Sequence, residues 1–169
     1  MVDKQLSNHF KLSEFVCRCG KCNGANPNTK LLRLLEQLRA NLNCKYITVT
    51  SGYRCPEYSP KVGGYTTDAH TKNIAADVVC YNQNNSIIPV ETVAAEAERL
   101  GFTGIGLMNG GAIHLDVRDE SNYYNAHWFG DERTGENVKT FQNAETIKST
   151  NSTLISINGK QYKISITEV

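Results

Sequence analysis

Two short runs of this chain gather histidines and carboxylates: Asp68-Ala69-His70-Thr71-Lys72-Asn73-Ile74-Ala75-Ala76-Asp77 and, much later, Ile113-His114-Leu115-Asp116-Val117. Half of the four histidines in the chain lie in them. A His and an Asp from the first run and a His from the second make a three-ligand metal set. Three ligands leave the fourth position of a tetrahedral zinc open to water, which a hydrolytic site needs and a structural site avoids. A third run, Ser51-Gly52-Tyr53-Arg54, adds a guanidinium. These residue types in this pattern point to a zinc hydrolase.

The elements that must position them follow from periodicity. Lys45 to Thr50 is β-branched and reads as a strand ending at Ser51-Gly52. Ala76 to Tyr81 reads as a short buried strand. Gly104 to Met108 and Ala112 to Val117 are apolar segments joined by Asn109-Gly110-Gly111, a hairpin signal. On the second of these, Ile113, Leu115 and Val117 share one face and His114, Asp116 and Arg118 the other, because strand side chains alternate with period two. Leu31, Leu34, Leu35, Leu38 and Leu42 recur at helical spacing, with Asn26 expected as the cap and Pro27 as the first helical residue. A second helix is expected from Pro89 to Gly101. Ser13 is expected to cap a turn that anchors the N-terminal segment through Leu12, Phe15 and Val16. Trp128 and Phe129 read as an aromatic plug, residues 130–151 as a polar strap, and the segments around Asn158-Gly159 as a second hairpin. The expected class is α+β, a small mainly antiparallel sheet flanked by helices. One domain over residues 1–129 is expected, with the strap and C-terminal hairpin of residues 130–169 packed on it.

Composition narrows the partners. With 169 residues, 40% hydrophobic and 21% charged, the chain suits one soluble core. A formal net charge of +1 argues against nucleic-acid binding, which normally needs a basic excess. No apolar run approaches a membrane span, and the start shows no basic and apolar leader pattern. Cytoplasmic synthesis, or earlier removal of a leader, fits that start. The cysteines, Cys17, Cys19, Cys22, Cys44, Cys55 and Cys80, allow two readings. Cys17-Arg18-Cys19-Gly20-Lys21-Cys22 is dense enough for a structural metal, with a fourth ligand from Cys44, Cys55 or Cys80. An even count also allows buried thiols or disulfides.

Taken together, Ser51-Gly52-Tyr53-Arg54, Gly63-Gly64, His70 with Asp77, the Gly-Ile-Gly strand and His114-Leu115-Asp116-Val117-Arg118 resemble the M15 metallopeptidases. These are D-alanyl-D-alanine carboxypeptidases and peptidoglycan endopeptidases, including phage endolysins. Phe10-Lys11-Leu12-Ser13-Glu14-Phe15 and the cysteine cluster resemble the short single-domain branch, and the likeness covers roughly residues 5–129. It implies the hedgehog/DD-peptidase-like fold, a Zn2+ held by His70, Asp77 and His114, and a peptidoglycan peptide as substrate. A monomer acting at the bacterial cell wall, of phage or host origin, is the corresponding expectation. Arg54 is carried over as a substrate or transition-state contact, with a structural salt bridge as its competing role.

The usual base position before the last ligand is occupied by Gly111 and Ala112, which leaves Asp116 to activate the water or to support a ligand or Arg118 from behind. Asp68 stands where the family often has Ser; it is expected to support His70 or to be a solvated loop residue. Asn73 replaces a family Gly at a turn that tolerates positive φ for Asn. The alternative function, favoured by the missing base, is a non-catalytic zinc-containing wall-binding or phage structural module.

Overall fold

A row of hydrophobic side chains on each of two helices, laid over one face of a sheet, builds the core. The computed structural model describes residues 3–22, 24–121 and 127–142, together with strands at 152–157 and 160–165. Helix α1 (Thr29–Asn41) buries Leu31, Leu32, Leu34, Leu35 and Leu38. Its cap is Asn28 rather than Asn26: the Asn28 side chain accepts from the Lys30 and Leu31 amides at 2.8 and 3.4 Å. Asn26 is occupied elsewhere, its amide donating to the Asn73 side chain at 2.8 Å. Helix α2 (Val90–Leu100) buries Val90, Val93, Ala94, Ala95 and Ala97 and ends at Gly101 in the left-handed region, as the sequence predicts.

The sheet holds β1 (Tyr46–Ser51), β2 (Ala75–Tyr81), β3 (Gly104–Leu107), β4 (Ile113–Asp116), β5 (Trp128–Asp131) and β6 (Glu136–Asn137), in the order β1-β2-β4-β3-β5-β6. Every pairing is antiparallel except β3 with β5. This is the expected α+β class. Cross-strand register sorts the residues onto two faces. Val78, Ile113 and Leu107 lie in one row and Ala76, Leu115 and Ile105 in another. These rows meet the helices, α2 packing on β3 and β4 and on α1. The opposite face carries the row Asp77, His114, Gly106 and Gly130.

Two expectations change outside the sheet centre. The N-terminal anchor is Phe10 with Phe15, both 1% exposed with ring centroids 6.0 Å apart, whereas Val16 is exposed. Ser13 caps nothing: its hydroxyl and amide both donate to Asp3, and the turn starts at Lys11, whose amide donates to Glu14 at 2.7 Å. Residues 130–142, read as a strap, instead complete β5 and supply β6. Glu98 on α2 then fastens the chain by accepting from the Phe141 and Gln142 amides at 2.6 and 3.2 Å. The later hairpin has strands β7 (Ser152–Ile157) and β8 (Lys160–Ser165) in their own two-stranded sheet. Its turn residues Asn158 and Gly159, and residues 143–151, lie outside the described residues.

Leu35 on α1 is completely buried in the hydrophobic core. Leu35→Ala is expected to cost about 2–5 kcal/mol in denaturant unfolding. The exposed Arg33→Ala is expected to stay within about 0.5 kcal/mol.

Candidate metal centre and substrate cleft

His114 sits on β4 directly opposite Asp77 on β2, so one rung of the antiparallel ladder presents a carboxylate and an imidazole side by side. His70 comes from a short 3-10 turn (His70–Lys72) that leads into β2. That turn closes on Asn73 at φ 60°, the left-handed conformation that Asn tolerates. His70 Nε2 lies 3.2 Å from His114 Nδ1 and 3.2 Å from Asp77 Oδ1, and His114 Nδ1 lies 3.0 Å from Asp77 Oδ1. Zinc bonds of about 2.0–2.1 Å in tetrahedral geometry separate neighbouring ligand atoms by about 3.3 Å. The triangle therefore fits a zinc-sized ion. All three side chains are buried.

The outer nitrogens are held as well. His70 Nδ1–H donates to the Gly52 carbonyl at 2.7 Å, and His114 Nε2–H donates to Asp116 Oδ2 at 3.1 Å. Both acceptors lack protons to give, so the nitrogens facing the triangle keep their lone pairs for a cation. Behind the centre, Asp116 is wholly buried and accepts from the Arg118 amide and Nε at 3.0 Å and from Nη2 at 2.5 Å. Asp77 accepts from Arg54 Nη2 through its other oxygen, and Arg54 Nε donates to Ser51 Oγ at 2.8 Å. Burial alone would raise the Asp77 carboxyl pKa, but hydrogen bonds from His114 and His70 hold it well below the carboxylate range. The same competition leaves Asp116 at about 2, with His114 and Arg118 outweighing desolvation. Desolvation would lower His114, yet the Asp116 and Asp77 carboxylates raise it to about 10 without a metal. A cation arriving between these groups displaces that proton.

The triangle opens on a cleft of about 440 Å³ lined by His70, Asp77, His114, Arg54, Arg118, Gly63, Gly64, Tyr65, Met108, Trp128 and Glu132, among others. Asp116 is not on its wall. Two carboxylates outside the ligand triangle line the cleft, Asp68 and Glu132; Glu132 stands just past β5, and its amide donates to the Leu107 carbonyl at 2.9 Å. A Cβ on Gly106 would stand 2.9 Å from Glu132 Oε1 and 2.9 Å from the Trp128 ring, so glycine there makes room for both beside His114. The Trp128 ring centroid is 6.0 Å from that of His114 and 5.3 Å from the Arg118 guanidinium.

Of the residues singled out in the sequence, His70, Asp77, His114, Asp116, Arg54 and Arg118 come together as one cluster. Asp68 also lines the cleft but does not support His70. Its carboxylate organises its own loop, accepting from the Ser59 hydroxyl, the Tyr65 amide and, at 3.0 Å, the Thr71 amide. His9 is a surface residue paired with Glu36, and His127 stands beside Phe129, both away from the triangle. The six cysteines are free thiols. Cys44 and Cys80 neighbour each other in the core, while Cys17, Cys19, Cys22 and Cys55 converge elsewhere. Glu132 is the residue that the sequence reading missed. It lies in a polar stretch whose only local signal is the preceding Trp128-Phe129 pair.

A buried triangle of two imidazoles and a carboxylate, open to a cleft on one side, is the ligand set of a metallohydrolase. The chain belongs to the Peptidase M15 family, whose model matches residues 8–116; these are metallopeptidases, and their substrates are peptides. No curated protein matches the chain. Among the described residues no helix is long and apolar enough to cross a membrane.

Gly104 pairs with Asp116 across β3 and β4, and a Cβ there would overlap the Asp116 carboxylate. Gly104→Ala is therefore expected to lower stability by about 1–3 kcal/mol, measured by thermal or denaturant unfolding. Gly101→Ala, where no atom lies within 4 Å of the added methyl, tests backbone strain alone.

Proposed function

We propose that this protein is a zinc-dependent peptidase that hydrolyses peptide bonds next to D-amino acids in the peptidoglycan stem peptide. The observation that carries the reading is the triangle of His70 Nε2, Asp77 Oδ1 and His114 Nδ1 at 3.0–3.2 Å, opening on a cleft. Those three atoms hold the zinc, which when bound polarises the scissile carbonyl and acidifies a water.

The chain's own groups divide the remaining work. Glu132 receives the proton of the attacking water at its carboxylate and returns it to the leaving amine. Asp116, buried and gripped by Arg118, keeps His114 in the tautomer that offers Nδ1, so it supports the ligand rather than handling the substrate's protons. Arg54 neutralises Asp77 and, from the cleft wall, meets the negative charge that develops on the carbonyl oxygen or rests on a peptide carboxylate. Trp128 covers one side of the bond and excludes water. Residues 1–142 act as one peptidase unit in this reading, with the C-terminal hairpin as an appendage. A non-catalytic module of the same fold is favoured by the lack of a base beside the last ligand; Glu132 on the cleft wall, just past β5, supplies a candidate from a distant part of the chain.

The protein loaded with zinc is expected to release stem-peptide fragments from purified peptidoglycan. Chelator treatment and His114→Ala should each abolish release; fragments produced at the wild-type rate by either preparation refute the proposal. Glu132→Gln is expected to lower kcat by about 10²–10⁴-fold with zinc content unchanged. Asp116→Asn should instead weaken zinc affinity by about 10–100-fold in competition with a chromophoric chelator. The reverse pattern would return the proton-handling role to Asp116.

A further inference from the structure

The second convergence of metal-type side chains lies on the far side of Arg54. Cys17, Cys19 and Cys22 form a tight knuckle in the N-terminal segment, and Cys55 reaches it from the residue that follows Arg54. Their four sulfurs all lie within 4.8 Å of one another, with Cys19 Sγ 3.3 Å from Cys22 Sγ. Tetrahedral zinc with thiolate bonds of about 2.3 Å sets its sulfurs about 3.8 Å apart, so the cluster matches a closed four-thiolate site.

Backbone amides already point at the sulfurs. Lys21 and Cys22 donate to Cys19 Sγ, and Cys55 donates to Cys17 Sγ, each at 3.3 Å. Such N–H donors stabilise sulfur that carries negative charge. Four thiolates around a divalent cation leave two negative charges, and Lys21 and Lys61 line the adjoining surface. Cys17 is 5% exposed, and the other three sulfurs are half-buried, so an ion can enter and then be enclosed. Cys44 and Cys80 sit apart from this group and are not needed to complete it.

We propose that Cys17, Cys19, Cys22 and Cys55 bind a second zinc ion, structural rather than catalytic, that staples the N-terminal segment to the chain leaving β1. The four ligands fill the coordination sphere and leave no position for water, which separates this site from the open His-Asp-His triangle. Each thiol gives its proton to solvent as the ion binds. The staple acts where position matters. Tyr53 donates its amide to the Phe15 carbonyl at 2.8 Å, Gly52 supplies the carbonyl that orients His70, and Arg54 grips Asp77. Fixing Cys55 thus fixes the segment that holds two parts of the catalytic triangle from behind.

The test is metal stoichiometry and spectroscopy on the full chain, with zinc and cobalt(II) as probes. Wild type should carry two zinc ions per chain. His114→Ala should retain one, and cobalt substituted into that variant should show an intense thiolate-to-metal charge-transfer band with tetrahedral d–d absorption. Cys19→Ser should carry one zinc and lose that band while its cobalt remains. The wild-type cobalt spectrum decides the matter if a variant fails to fold: no thiolate band overturns the proposal. A single zinc that vanishes with His114→Ala overturns it too, as does a disulfide joining any of Cys17, Cys19, Cys22 and Cys55 in peptide maps of the protein denatured in chelator. Because the readout is a thiolate spectrum, failure of the peptidase reading would leave it untouched.

Discussion

Burying four titratable groups, His70, Asp77, His114 and Asp116, beside one face of a small sheet is possible only if each has an opposite partner, and that requirement shapes everything around them. The partners run in an unbroken chain: Arg54 to Asp77, Asp77 to His70 and His114, His114 to Asp116, Asp116 to Arg118. A lone carboxylate at the depth of Asp116 would ionise only at great cost. With a guanidinium on one side and an imidazole on the other, its pKa falls rather than rises. The two arginines close the ends of the chain where it meets the cleft, and a metal ion bound between the imidazoles and Asp77 would take the place of a proton there.

The sheet pays for this arrangement in side chains it does without. Gly104 stands opposite Asp116 and Gly106 opposite His114, so the strand beside the metal ligands is bare where the carboxylate, Trp128 and Glu132 need volume. The opposite face of the same strand shows the usual rule: Ile105 and Leu107 are buried against the helices. One four-residue strand therefore serves as core on one side and as empty space on the other.

How much of this was legible depended on how local the signal was. The alternation of Ile113, Leu115 and Val117 with His114, Asp116 and Arg118 announced a two-faced strand, and Asn109-Gly110-Gly111 announced its hairpin, because both are set by neighbours in sequence. The helices were legible for the same reason, although the cap moved from Asn26 to Asn28 once the Asn26 amide was claimed by Asn73. The role of Asp116 was not legible, since nothing in the residue order says which imidazole nitrogen of His114 faces the ion. Glu132 was invisible because it reaches the cleft through β5, a parallel pairing with β3 across an intervening hairpin, and such a pairing leaves no trace in a short polar stretch. For Asp68 the sequence left two roles open, because proximity to His70 in sequence cannot tell a partner from a loop residue; the carbonyl of Gly52, eighteen residues from His70, takes the partner's place.

The placement of β5 divides the cleft between two stretches of chain. The family match ends at residue 116, just after His114, whereas Trp128 on β5 and Glu132 immediately beyond it approach from the other side of β3. The His-Asp-His triangle and this wall of the cleft are thus carried by separate stretches of chain, which meet across Gly106. Substitutions at Trp128 or Glu132 can therefore reshape the cleft without altering a member of the His-Asp-His triangle.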